Sequence, residues 1–346
     1  IWNTDLKDDL IAIQGGLVGT GFVLLDLLGA GAPAVAAAGH TKIIHNTTTG
    51  TVQASIAGAA YEDIPRGDNA VCDGRMTLTA ATPVTTADVT AATAVKFSPY
   101  KGNRIALYDG AAWKIFTFSE LSLSLGTDAA DTPYDLFAYD NAGTVALERL
   151  VWTNDTTRAT ALALQDGVLV KSGVTTRRYL GTYYTTAIGQ TEDSYAKRFV
   201  WNYYHRRKRP MRVLETTDSW TYSTATYRQM NNAAANQLNF MIGWSEDAVE
   251  ADVYISAIGS SVSDYVRIGI GLDSTTAPAA GCFVPQIWIT TNDIPQGHVS
   301  YKTIPAVGRH TLVALERGSG VGTQTWYGDN TDATLNQTGI HGVLWG

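Results

Sequence analysis

Apolar and polar side chains alternate along this chain in short runs broken by turn residues. Residues 104–108 read Arg-Ile-Ala-Leu-Tyr, Asp109-Gly110 follows, and 113–118 read Trp-Lys-Ile-Phe-Thr-Phe. An Asp-Gly pair tolerates the positive φ of a tight hairpin, and alternation on either side supplies the two strands. The pattern continues over 134–139, 144–152, 158–164 and 168–171, across Asp140-Asn141-Ala142-Gly143 and Asp166-Gly167. Strands recurring every 8–12 residues or so indicate a sandwich, barrel or meander. Further runs lie at 211–214, 238–244, 250–258, 265–272, 286–290, 310–316 and 342–345. About seven strands in that length fit one antiparallel sandwich of jelly-roll type.

Residues 1–31 have a different period. Leu10, Leu17 and Leu24 recur at seven, interleaved with Leu6, Ile13, Thr20 and Leu27. That heptad reads as a short helical, axial segment that bundles copies of the chain, or as one amphipathic helix packed on its own domain. Gly15, Gly16, Gly19 and Gly21 each weaken a helix there by about 1 kcal/mol. After Gly31-Ala32-Pro33 the strand texture returns, and 32–66 reads as a small β-meander closed by Pro65-Arg66-Gly67-Asp68-Asn69. The expected architecture is mainly β: the axial segment over 1–31, the meander, a middle antiparallel β domain over 70–190, a basic aromatic linker over 191–212 and a C-terminal jelly-roll-like sandwich head over 213–346. The heptad leucines, and strand residues too apolar for a lone sandwich, lead us to expect an elongated homotrimer. The chain opens on Ile1 and its first methionine is Met76, so a fragment of a longer polypeptide is expected.

Composition narrows the function classes. Charged residues are 16% of the 346, against roughly 25% in ordinary soluble domains. A formal charge of −7 argues against a general nucleic-acid binder. No apolar run is long enough to insert in a membrane. Cys72 and Cys282 stand far apart and make neither a disulfide framework nor a metal motif, and both are expected as free thiols. The six histidines are scattered, so no metal or other cofactor is expected.

Candidate chemistry is sparse. Seven of the 25 Lys and Arg fall in 195–212 with no acid among them, interleaved with Tyr, Trp and Phe. Arg206, Arg207, Lys208 and Arg209 form its densest part. Such a tract suits an anion, either a single-stranded nucleic acid or a sugar phosphate, or pairs with acids of a neighbouring subunit; the acidic surroundings favour the second. Trp326-Tyr327-Gly328-Asp329-Asn330 joins two aromatics to an acid and an amide in a loop-like stretch. Trp326, Tyr327, Asp329 and Asn330 could form a sugar platform, or Trp326 could be a core or interface residue. Glu246, Asp247, Glu250, Asp252 and Asp273 are acids that could pair as glycosidase carboxylates, but solvated strand ends explain them better. Arg66-Gly67-Asp68 reads as a turn. Gly16 to Gly21 and Gly269-Ile270-Gly271 lack the strand–turn–helix context of a phosphate cradle.

Several stretches together resemble a known family. These are 34–39 with Lys42-Ile43-Ile44 and 59–64; 72–79; 98–110 with Trp113-Lys114; 178–182; and the ending 308–316 with 339–346. They look like modules of tailed-bacteriophage fibre and spike proteins that end in a trimeric jelly-roll head. The resemblance implies a virion protein, exposed on the particle, without enzymatic activity, that attaches the particle to a bacterial surface, with a surface glycan as receptor. It also implies contact with other virion proteins through an N-terminal region not recognised here. A purely architectural head fibre, decoration or baseplate-associated subunit is the first alternative. A polysaccharide-degrading spike is the second, disfavoured because long β-helix coils are missing.

Overall fold

Strand 296–303 shows how the chain folds: its residues are alternately exposed and buried, with Gly297, Val299 and Tyr301 turned inward. Period-two patterning of this kind puts one face on a core and leaves the other in water. The computed structural model describes Val23–Asp26, Ala37, Thr41–Asn46, Thr51–Ile56, residues 59–60, Glu62–Asp63, 68–332 and 337–346. It is β throughout these residues apart from two single-turn 3-10 helices. The chain divides into two units, 1–68 and 69–346.

In the first unit Thr41–Asn46, Thr51–Ile56 and Glu62–Asp63 form an antiparallel meander in chain order. Val23–Asp26 is a strand paired in parallel with Thr41–Asn46, Leu24 facing Lys42. Leu24, a member of the expected heptad, is therefore in a sheet and not a helix. A short apolar run preceded by four glycines gains more from strand pairing than from a helix it can barely nucleate. The rest of the axial segment, together with Gly16 to Gly21 and Arg66-Gly67, lies outside the described residues.

In the second unit the hairpin Arg104–Tyr108/Trp113–Thr117 turns at Asp109-Gly110, where the Asp109 carboxylate accepts bonds from the Ala111 and Ala112 amides. Asp166 and Gly167, with φ of 51° and 82°, join Leu162–Gln165 to Val168–Lys171 in a turn whose two central residues both have positive φ. A long sheet runs from Thr144–Asn154 through Pro133–Asn141, Val174–Ala187, Gln190–Asp193 and Lys197–Arg198.

Eight further strands, numbered β1 to β8, build the C-terminal part. They are β1 Lys208–Leu214, β2 Gln237–Ile242, β3 Val249–Gly259, β4 Asp264–Leu272, β5 Gln286–Ile289, β6 Gln296–Thr303, β7 Gly308–Arg317 and β8 Gly339–Trp345. One sheet has the order β1-β8-β3-β6, and the other has the order β2-β7-β4-β5. The far end of β3 pairs with Gln324–Tyr327, which pairs with Ser219–Thr221. Inward residues of both sheets share one core: Phe240 and Ile242, Val253 and Ile255, Ile268 and Ile270, Leu312 and Ala314, Trp326, Ile340.

The stretch 191–212, expected as a linker, does not separate two domains. Lys197–Arg198 pairs in parallel with β2, so the long middle sheet continues without a break into the second sheet. Phe137, Trp152, Leu169 and Tyr179 of the middle region belong to the same core as the C-terminal sheets. The buried charges of the stretch are neutralised within it. Asp193 accepts from Arg198 at 3.0 Å and from Arg209 at 2.8 Å, all three side chains being less than a tenth exposed. Arg198 also donates to the Pro210 carbonyl, and Arg209 to the Thr85 carbonyl. Asp193 lies just before the acid-free tract that opens at Tyr195, and the fold turns it back onto Arg198 and Arg209.

Two strands from Arg198, across Phe240, His310 is held by both ring nitrogens, Nδ1 2.7 Å from Asp273 and Nε2 2.9 Å from the Ala306 carbonyl. Burial opposes the imidazolium, but the Asp273 carboxylate and that carbonyl outweigh it, so His310 titrates above the ordinary histidine value.

Two predictions follow from these contacts. Asp193→Asn leaves buried guanidiniums under-neutralised and should cost about 3–5 kcal/mol in denaturant unfolding. For His310 the folded pKa lies above the unfolded one, so its stabilisation is complete below about pH 6.5 and fades as pH rises through the raised value. The melting-temperature advantage over His310→Gln should accordingly shrink from pH 6 to pH 8.

Candidate functional site

The residues singled out in the sequence fall in different places. Trp326 is completely buried, donates from Nε1 to the Tyr222 carbonyl at 3.0 Å and packs in the shared core. It is not a sugar platform. Tyr327 alternates with it on the strand and is half-buried. Asp329 accepts from the Thr331 amide, and Asn330 is a left-handed turn residue with φ of 48°. The group therefore closes a turn on itself, and its side chains do not converge on an open surface.

The basic tract is likewise spent inside the chain. Arg206 pairs with Glu246 and Asp247, Arg207 donates to the Tyr100 hydroxyl at 2.8 Å, and Arg209 is locked on Asp193. Burial lowers the Arg209 pKa. Arg207 and Lys208 are exposed and have no carboxylate among the described residues, Lys208 lying 5.6 Å from the Trp345 ring. For Arg206 and Arg209 the acids expected on a neighbouring subunit are supplied by the same chain.

The five candidate glycosidase carboxylates all have partners within the chain: Glu246 and Asp247 pair with Arg206, Glu250 with Lys302, and Asp252 and Asp273 meet the rings of His298 and His310. Lys302 holds Glu250 below the usual carboxylate range, and Asp273 is lowered by the His310 and Thr311 bonds against the opposing effect of burial. Glu250 and Asp273 thus lie on the wrong side of the carboxylate range for a general acid, whose pKa is raised. Both cysteines are free, and burial pushes the Cys72 thiol up to about 11, far from a reactive thiolate. Among the described residues no group of three or more His, Cys, Asp or Glu could hold a metal ion, and no helix is long and apolar enough to cross a membrane.

A different surface carries exposed aromatic and polar groups together. On β5, Ile287 and Ile289 turn toward the core, so Trp288 between them points out and is 61% exposed. Its cross-strand neighbour on β4 is Tyr265, edge-on with ring centroids 5.7 Å apart. In the next row Gln286, Arg267 and Arg317 stand side by side on β5, β4 and β7. Arg267 donates to the Gln286 side chain at 2.7 Å and lies over Tyr265, while Arg317 lies over Tyr227.

The other end of the same face is closed. The β4–β5 connection folds back on the sheet, with the Ala279 amide bonded to the Ile270 carbonyl. It fits because β4 carries Gly269 and Gly271: a Cβ at Gly271 would stand 2.1 Å from the Ser274 carbonyl oxygen, and one at Gly269 would press on Pro278. The open part presents a flat ring, an amide and two cations, a set that can stack on the apolar face of a sugar and bond its hydroxyls. The alternation Gln286-Ile287-Trp288-Ile289 was legible in the sequence and marks Trp288 as outward; the meeting of β4, β5 and β7 was not.

No known protein family matches the chain, and no curated protein does. Among solved structures, the insecticidal delta-endotoxin Cry8Ea1 of Bacillus thuringiensis aligns with a TM-score of 0.24 and 7% identity, over 79% of this chain and 51% of that one. Dimeric latent PorU of Porphyromonas gingivalis aligns at 0.26 and 8%, over 63% and 24%. BpGH86A, a beta-porphyranase of glycoside hydrolase family 86 from Bacteroides plebeius, aligns at 0.22 and 8%, over 76% and 36%. The chain thus spans about half the length of the endotoxin and less of the others. At these TM-scores the likeness carries no argument about function.

The two tryptophans should part company on truncation. Trp326→Ala should cost about 3–5 kcal/mol, whereas Trp288→Ala should change unfolding free energy by less than about 0.5 kcal/mol. Chemical denaturation of both variants checks this.

Proposed function

We propose that the chain is a fibre or spike subunit of a tailed-bacteriophage particle and attaches that particle to a glycan on the bacterial surface. The observation that carries the reading is the exposed Trp288–Tyr265 pair beside Gln286, Arg267 and Arg317 on a rigid sheet. A large aromatic left in water on regular structure costs solvation that a bound partner recovers. The jelly-roll reading of the head is supported by the strand pairing. Of the eight strands, β1 pairs with β8, β2 with β7, β3 with β6 and β4 with β5, which is the nesting of a long hairpin rolled into two sheets.

The homotrimer is supported by the outer face of the first sheet. There Tyr254 stacks between His298 and His341, and Leu214 and Trp345 are also exposed, which gives a second copy apolar area to cover. An adhesin is favoured over a glycan-cleaving spike because the candidate carboxylates have partners within the chain. The localisation that goes with this function is the surface of the virion.

Trp288→Ala should leave the chain folded and weaken its binding to host-surface glycan at least about tenfold, as truncation of a central interface tryptophan typically does. Adsorption of particles carrying the variant should fall with it. Unchanged adsorption would remove this face from the receptor site.

A further inference from the structure

Cross-strand neighbours on one face of a sheet stand about 5 Å apart, and like charges in that position repel. Arg267 and Arg317 occupy such a position on β4 and β7. Several arginines of the chain are answered by acids: Arg198 and Arg209 share Asp193, Arg158 meets Asp135, Arg228 meets Glu316, and Arg206 meets Glu246 and Asp247. Among the described residues Arg267 and Arg317 form no ion pair. Arg267 donates to Gln286, Arg317 donates to the Ala225 carbonyl at 3.1 Å, and one further nitrogen on each, Arg267 Nε and Arg317 Nη1, is buried without a partner. Glu316, next to Arg317 in the chain, offers nothing to this face: it points inward and is bound by Trp220 and Arg228. Asp264, next to Tyr265, is buried and bonded to the Ser260 and Ser261 amides.

We propose that the sugar received on this face is acidic and that its carboxylate is held between Arg267 and Arg317 while its ring lies on Trp288. The inference rests on the glycan-attachment reading above and names the class of sugar. A guanidinium is a planar fork matched to a carboxylate, and two arginines that are cross-strand partners, neither with an acid of its own among the described residues, can together take one anionic group. The chain's net charge of −7 gives no long-range pull on an anion, so recognition is local. Gln286, fixed by Arg267, offers an amide to a neighbouring hydroxyl.

The test uses the full chain and matched oligosaccharide pairs. Tri- and hexasaccharides of galacturonate, glucuronate and mannuronate are titrated beside their carboxyl-reduced, neutral counterparts, with a glycerol-phosphate oligomer as a third arm. At least one acidic member should bind tenfold or more tighter than its reduced partner. Arg267→Gln and Arg317→Gln should each erase that discrimination without lowering the melting temperature. Arg267→Lys, which keeps the charge and loses the fork, should restore it in part. Trp288→Ala should weaken acidic and neutral members alike.

Equal binding of an acidic sugar and its reduced partner would sink the acidic-sugar inference and leave glycan attachment standing. Preference for the glycerol phosphate would move the ligand to a different polymer and overturn it too. Binding of no member, with wild-type adsorption by Trp288→Ala particles, would remove both readings together.

Discussion

The second unit depends on one buried carboxylate. Asp193 sits between Arg198 and Arg209, and the three groups satisfy each other in a place where water does not reach. Each arginine then uses its remaining donors on a carbonyl from another stretch, Pro210 for one and Thr85 for the other. The site therefore ties together the end of the middle sheet, the first strand of the C-terminal part and a loop from far upstream. A charge triad of this kind adds little net stability compared with apolar packing, but it tolerates few other arrangements of its neighbours. It fixes where Lys197–Arg198 meets β2, and with that the register at which the middle sheet passes into the second C-terminal sheet.

How far this was legible in the chain varies with the range of the interaction. Strands 104–108 and 113–117, the Asp166-Gly167 turn and the strands of the C-terminal part are local: alternation and turn residues define them within a dozen positions. The linker reading of 191–212 failed because its partners are distant in sequence. Arg206 finds Glu246 and Asp247 some forty residues on, and Arg75 donates to carbonyls at Pro83, His205 and Gly346. Trp326 and Trp288 show the same division. Both sit in short strands with alternating burial, and only strand parity separates the buried one from the exposed one. Flanking isoleucines reveal that parity for Trp288, whereas Thr325 and Tyr327 leave it ambiguous for Trp326.

The two outer faces of the C-terminal sheets differ in how their polar groups are served. On the first sheet Asp252 pairs with His298, Glu250 with Lys302, and Tyr254 lies between two imidazoles. That face has partners for its acids and is partly aromatic, which suits contact with a like surface. On the second sheet the aromatic pair has an incomplete electrostatic setting beside it, two cations with no ion pair among the described residues. Surfaces of the first kind assemble with little charge reorganisation, and surfaces of the second kind discriminate among charged ligands.

The glycines beneath the β4–β5 connection divide the second face into parts with different evolutionary freedom. At Gly269 and Gly271 a side chain would collide with the loop above, so a substitution at either position must displace that loop. Tyr265, Arg267, Gln286 and Trp288 project into solvent from strands whose inward residues already secure the core, and they can be exchanged without disturbing it. Single substitutions at a few outward positions can therefore change the chemistry this face presents, while the scaffold stays constant.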